Sequence, residues 1–210
     1  MQETSEQLKQ GSLTPHIPIY TVGYGGRSVE QFIALLHRYE IKYLVDIRSQ
    51  PYSRANQQFS KDPLEKALKQ HHICYLFMGD TLGGRPKDDS CYVDGRVDYS
   101  KVCKKAFYLE GISRLHTAWE KQYAVALMCA ETKPQECHRS KLIGNTLRDE
   151  NIEVAHIDEM DKLKTQLEVN NLLLGGCQLS LFDDQSSSAM LNENIKFSRK
   201  KYFLPNERTT

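Results

Sequence analysis

The chain has 210 residues, with 28 lysines and arginines against 27 acidic residues and a formal net charge of +1. That length supports one sizeable α/β core with appendages, and the near balance of charge excludes a global field for nucleic acid or membrane, leaving only local patches to attract either. No apolar run reaches the length of a membrane span and the first residues lack the apolar core of a signal peptide, so a cytoplasmic protein that does not engage a membrane is expected.

Residues 1–16 are polar with scattered charge, the composition of a flexible arm. An apolar run over 17–22 predicts the first strand, and Gly23, Tyr24, Gly25, Gly26 and Arg27 follow it directly. Ser28 with Gln31 makes a capping box for a helix that turns Val29, Phe32, Ile33 and Leu36 to one face. A glycine-rich turn between strand and helix is a candidate phosphate cradle. Its glycines match neither the dinucleotide nor the Walker spacing, and the alternative is a tight turn that simply needs positive φ.

Residues 43–47 predict the second strand, which runs out through Asp46, Arg48, Pro51, Tyr52 and Arg54. Arg48 and Arg54 are candidate anion-binding groups at that strand end; the alternative for Arg48 is a structural ion pair with Asp46. Pro63, between Asp62 and Glu65, marks the start of a helix with Leu64, Ala67 and Leu68 inward. Residues 73–78 predict the third strand.

The stretch 79–100, with Leu82, Gly83, Gly84, Arg85 and Pro86, breaks the alternation and is too long for an ordinary connection, so it reads as a lid or a disordered insertion. A long helix is expected over 99–121, with Val102, Ile112, Leu115 and Trp119 as core residues and a break near Gly111.

Reactive side chains concentrate over 123–139. A buried strand at 123–128 ends in Cys129, Ala130 and Glu131, loops through Pro134, and returns as Cys137, His138 and Arg139 before a helical pattern with Leu142, Ile143 and Leu147. A thiol at a helix N-terminus beside His138 and Arg139 loses its proton more readily than a free cysteine. Residues 154–157 predict a fifth strand carrying His156, and 159–174 a last helix. The six cysteines, Cys74, Cys91, Cys103, Cys129, Cys137 and Cys177, are irregularly spaced and read as reduced thiols rather than a disulfide frame. Strand and helix in alternation predict an α/β domain over 17–174, a mainly parallel sheet with helices on both faces whose strand ends share one edge, where a site is expected.

The segments TVGYGGRS, LVDIRSQPYSR, LGGRP and MCAE followed by CHR resemble, in order and separation, the motifs of the domain-of-unknown-function 488 family. The resemblance implies a Rossmann-like α/β fold and little about reaction. It marks Gly23, Arg27, Asp46, Arg48, Arg54, Gly84, Arg85, Cys129, Glu131, Cys137, His138 and Arg139. Where the first family motif has Gly-His-Ser this chain has Gly23-Tyr24-Gly25, so a role for that histidine is absent.

Three chemistries fit these residues. In the first, Glu131 is the acid/base that activates water at a sugar carbon while Arg27, Arg48, Arg85 and Arg139 hold phosphate, which suits a glycosidase-like hydrolase of a nucleotide or nucleic acid. Its plain alternative is a Glu131 that only neutralises an arginine. In the second, Cys137 or Cys129, beside His138, is a nucleophile or redox pair, against Cys129 as a small core residue. In the third, Cys129, Cys137, His138 and His156 bind a metal; the spacing is not that of a Cys-x-x-Cys knuckle, and no metal or other cofactor is expected. A non-enzymatic adaptor that grips nucleic-acid phosphate through its arginines is the reading of a different class.

Residues 175–210 read as a flexible tail. Gly175 and Gly176 precede Gln178, Leu179, Ser180, Leu181 and Phe182, and an acidic, serine-rich spacer follows, which is how a chain presents a linear motif. QLSLF resembles the bacterial sliding-clamp-binding motif, whose leucine and phenylalanine fill an apolar pocket while the glutamine amide sets register. The alternative is a segment packed on the domain. A clamp partner and DNA-repair chemistry are therefore expected, with Lys196, Arg199, Lys200, Lys201 and Tyr202 as a local phosphate contact.

Overall fold

The computed structural model describes residues 16–174. The expectations for the arm before His16 and for the tail, including Gln178 to Phe182 and the basic end, lie outside the described residues. The chain runs through β1 (Ile19–Gly23), α1 (Val29–Arg38), β2 (Tyr43–Asp46), α2 (Lys61–Gln70) and β3 (Cys74–Phe77). It continues through β4 (Tyr92–Val93), β5 (Arg96–Val97), α3 (Tyr99–Val102), α4 (Ala106–Glu120) and β6 (Val125–Cys129). A π-helical turn (Arg139–Gly144) leads into α5 (Asn145–Asp149), β7 (Val154–Ile157), β8 (Leu163–Thr165) and α6 (Gln166–Leu173).

The six-stranded sheet has the order β3-β2-β6-β1-β7-β8. All its pairings are parallel except β7 with β8, so the alternation of strand and helix does produce a mainly parallel α/β sheet. Side chains alternate across β6 with a period of two. Val125, Leu127 and Cys129 join Tyr108, Ile112 and Leu115 of α4 and Leu142 and Leu147 on one face. Ala126 and Met128 join Phe32 and Leu36 of α1 and Leu64 and Leu68 of α2 on the other. Both faces are thus covered by apolar helix stripes, each fully buried leucine or phenylalanine contributing about 1.5–3 kcal/mol. Among the described residues no helix is long and apolar enough to cross a membrane.

Three expectations about elements are corrected. The stretch 79–100 is not a disordered insertion: it holds the β4–β5 hairpin, buries Leu82 and Cys91 completely, and is fastened by Tyr92 Oη donating to the Pro86 carbonyl at 2.8 Å and by the Lys105–Asp88 ion pair at 2.8 Å. The helix expected over 99–121 breaks between α3 and α4 rather than near Gly111, which lies inside α4 because a Cβ there would stand 2.7 Å from Leu82 Cδ2. The last helix is shortened to α6, started by a Thr165–Glu168 capping box, since Leu163–Thr165 adds an antiparallel edge strand.

Candidate functional site

Cys129 closes β6, in the middle of the sheet, with its side chain toward the α4/α5 face. Glu131, two residues on, emerges on the same side, half-buried. A single 3-10 turn at Pro134–Glu136, closed by Cys137 N–H to the Pro134 carbonyl at 3.1 Å, folds the chain back so that Cys137 and His138 start the π-helical turn against it. Four polar groups meet there. The Cys129 thiol donates to Glu131 Oε2 at 2.7 Å, and Cys137 Sγ lies 3.3 Å from the same oxygen. His138 Nδ1 stands 3.7 Å from Cys129 Sγ and 3.6 Å from Cys137 Sγ, while its Nε2 is 3.2 Å from the Ile47 carbonyl. The two cysteines are 3% and 1% exposed, and both are free thiols.

The neighbouring Cys137 sulfur, then burial and the Glu131 charge, push the Cys129 thiol well above its usual range. Burial opposes ionisation of Cys137 too, but the Cys129 thiol, the His138 ring and Arg139 outweigh it and hold that thiol well below its usual range. Burial, then the Cys137 charge, raises Glu131. Burial works against a charged His138, yet Cys137 and Glu131 raise it.

A second cluster occupies the same edge on the opposite face. Asp46, fully buried, receives both nitrogens of Arg48, Nε at 2.9 Å and Nη2 at 2.6 Å, and the Tyr75 hydroxyl at 2.7 Å. Arg48 also lies over the Tyr24 ring, 5.2 Å from its centroid. Period two along β2 sends Val45 and Ile47 toward Cys129 and sends Leu44 and Asp46 toward α1 and α2. The strand ends therefore converge on one edge but the sheet divides what they carry, with the thiols, Glu131 and His138 on one side and Asp46, Arg48, Tyr24 and Tyr75 on the other.

The expected ring of four anion-binding arginines around Glu131 is corrected. Arg27 donates to Asp161 Oδ1 at 2.6 and 3.2 Å and to the Gly23 and Asp158 carbonyls. Arg48 takes the ion-pair alternative, with Asp46. Arg139 is completely buried, bonding the carbonyls of Glu131 and, at 2.8 Å, Thr132. Both Nη groups of this buried guanidinium go to loop carbonyls while its Nε has no partner, so it shapes a loop rather than facing an exposed anion. Arg54 and Arg85 are the exposed arginines of the set, with no ion pair to a described residue. Gly84 presses Arg85's segment against the site, since a Cβ on Gly84 would lie 2.8 Å from His138 Nδ1.

Of Gly23, Gly25 and Gly26, only Gly26 needs positive φ. Gly26 takes φ 76° in a turn closed by Arg27 N–H to the Tyr24 carbonyl at 3.0 Å. Gly23 and Gly25 are required by close approach: a Cβ would stand 1.8 Å from the Glu131 carbonyl oxygen and 2.7 Å from that of Ala130. An open groove of about 480 Å³ runs beside this turn, lined by Gly25, Gly26, Arg27, Arg38, Thr132 and Asp161. It reaches the reactive cluster only through Thr132, the neighbour of Glu131.

His156 does not join the cysteines. Its ring bridges Thr21 Oγ1 and Gln166 Oε1, each at 2.7 Å. Tyr75, Asp161 and Gln166 were not singled out by sequence reading, for each takes its role from partners far along the chain; Asp158, also not singled out, has local side-chain partners in Met160, Lys162 and Lys164. Cys129, Cys137 and His138, by contrast, form a group whose ligand atoms all lie within 4.8 Å of one another. A family model described as a domain of unknown function, DUF488, matches residues 28–145. Neither a curated protein nor a solved structure matches the chain.

Proposed function

The chain belongs to the DUF488 family, whose description names no reaction, so we propose its function from the site itself: a hydrolase of a phosphate-bearing nucleotide or nucleic-acid substrate, with Glu131 as the acid/base. The observation that carries this reading is where the Glu131 carboxylate sits. It lies half-buried at the end of the central strand, against two thiols and with no guanidinium on it among the described residues. An acid that merely neutralised an arginine would show such a partner. Exposed Arg85, one residue from the glycine packed on His138, would hold the substrate phosphate, with Arg54 on the neighbouring strand-end loop as its companion. The peptide Gln178 to Phe182 would bring the enzyme to a sliding clamp, and so to DNA repair in the cytoplasm.

The test is turnover by the full-length chain on nucleotides and on intact and damaged single- and double-stranded DNA, with released bases and nucleosides followed by chromatography. Glu131→Gln lowers turnover by roughly 10²–10⁴-fold with nucleotide affinity unchanged. Equal turnover in variant and parent overturns Glu131 as the acid/base, and binding without turnover by either overturns the reading in favour of an adaptor.

A further inference from the structure

We propose that Cys129, Cys137 and His138 together hold one divalent transition-metal ion, zinc by its ligand chemistry, with the open side of the ion turned to Glu131. Binding of the ion stands apart from the hydrolytic reading; its chemical use rests on that reading.

Geometry comes first. The two sulfur-to-Nδ1 separations are 3.6 and 3.7 Å. A tetrahedral ion with sulfur at about 2.3 Å and nitrogen at about 2.1 Å places those ligand atoms roughly 3.6 Å apart. Hydrogen bonding alone accounts less well for the arrangement, since Nδ1 has one lone pair or one proton and two sulfurs approach it. The far side of the ring decides which. Nε2 faces the Ile47 carbonyl, which accepts only from an N–H, so Nε2 carries a proton and Nδ1, on the side of the sulfurs, is the nitrogen left to bind an ion. A ring oriented by a carbonyl behind it is the usual support of a metal-bound histidine.

The backbone explains how adjacent residues serve one ion. Cys137 is extended at φ −113° and ψ 152°, whereas His138 is helical at φ −64° and ψ −22°. The change of conformation between them brings both side chains to Cys129. The Arg139 backbone N–H, 3.5 Å from Cys137 Sγ, supports negative charge on that sulfur. Without an ion, Cys129 keeps its proton and donates it to Glu131; a doubly charged cation would displace that proton and let both sulfurs bind as thiolates.

Three protein ligands with a fourth side open is the arrangement of catalytic rather than structural zinc. The ion would bring a bound water to a pKa of about 7. Glu131 takes its proton, the oxygen bonds to the substrate, the bond to the leaving group breaks, and the leaving group departs with that proton.

The experiment uses the full-length chain purified under reducing conditions without chelator. Elemental mass spectrometry is expected to find about one zinc per chain. Cobalt(II) substitution is expected to give a thiolate-to-cobalt charge-transfer band and the intense visible bands of a four-coordinate ion. These bands vanish in Cys129→Ser, Cys137→Ser and His138→Asn, and persist in Cys74→Ser and Glu131→Gln. Because a variant at a buried position can fail to fold, the parent chain decides by itself: no thiolate-to-cobalt band, or a Cys129–Cys137 disulfide in the reduced preparation, overturns the site. Zinc bound by a chain without turnover supports the metal site and overturns the hydrolase. Glu131-dependent turnover in a chain shown to hold no ion does the opposite.

Discussion

His156 is fully buried between Thr21 and Gln166, and burial pushes its pKa down to about 4. An unfolded histidine titrates near 6.5. The folded state therefore disfavours the charged ring, and the stability this contributes is complete above about pH 6.5 and lost as pH falls toward 4. The loss amounts to about 3 kcal/mol. Urea midpoints measured at about pH 7 and about pH 4.5 should fall in the parent and converge in His156→Gln, whose side chain carries no proton to bind; parallel falls would show that carboxylates elsewhere set the acid limit. Arg27 and Arg139 show why residue roles of this kind are hard to read from the chain. Arg27 finds Asp161 at a separation of 134 residues, and Arg139 is consumed by two backbone carbonyls. Composition counts a guanidinium and says nothing of what already holds it. Glu131, Cys137 and His138 were legible because a strand end and a helix start, both visible as local patterns, put them within a few residues of each other.

Two glycines separate the ways an element depends on one. Gly95 turns the β4–β5 hairpin at φ 72° with nothing near the position of a Cβ, following Asp94 at φ 49°. Gly95→Ala should cost about 1–2 kcal/mol, the price of left-handed backbone alone, and leave the site intact. Gly23→Ala sets a methyl 1.8 Å from the Glu131 carbonyl oxygen. It should cost about 3 kcal/mol or more by forcing β1 from β6, and it should lower turnover because Glu131 moves. Denaturant midpoints together with turnover check the pair; equal effects on both readouts would show that the contact at Gly23 is not special. The same contrast explains which elements were readable. The five parallel strands and α1 carry strong periods or a capping box, whereas three-residue β8 is too short to show one, and Gly111 resembled a helix break because its need, room for Leu82, lies on another segment.

For the whole molecule, alternation of strand and helix was enough to foresee a parallel sheet and a shared strand-end edge. It did not foresee that the sheet would part that edge into a thiol-bearing side and a side holding Asp46 and Arg48, since which face a residue takes depends on register, and register is set by pairing across the sheet. Recruitment belongs to this scale as well. In a pull-down with a bacterial sliding clamp, combined Gln178→Ala, Leu181→Ala and Phe182→Ala should abolish capture of the full chain while leaving turnover on free substrate unchanged; capture that survives the change would refute the peptide as an address.

The place of β6 between β2 and β1 has a further consequence. Tyr20 and Leu44 both pair with Ala126, so β1 and β2 have no direct partnership with each other. Synthesis must pass residue 126 before β1 has any neighbour; until then β2 has only β3 beside it, and the edges of β1 and β2 that β6 will join stay open. Such a nascent chain has no stable first half to bank; it waits, vulnerable to aggregation, for the strand that carries Cys129 to arrive and lock the middle of the sheet.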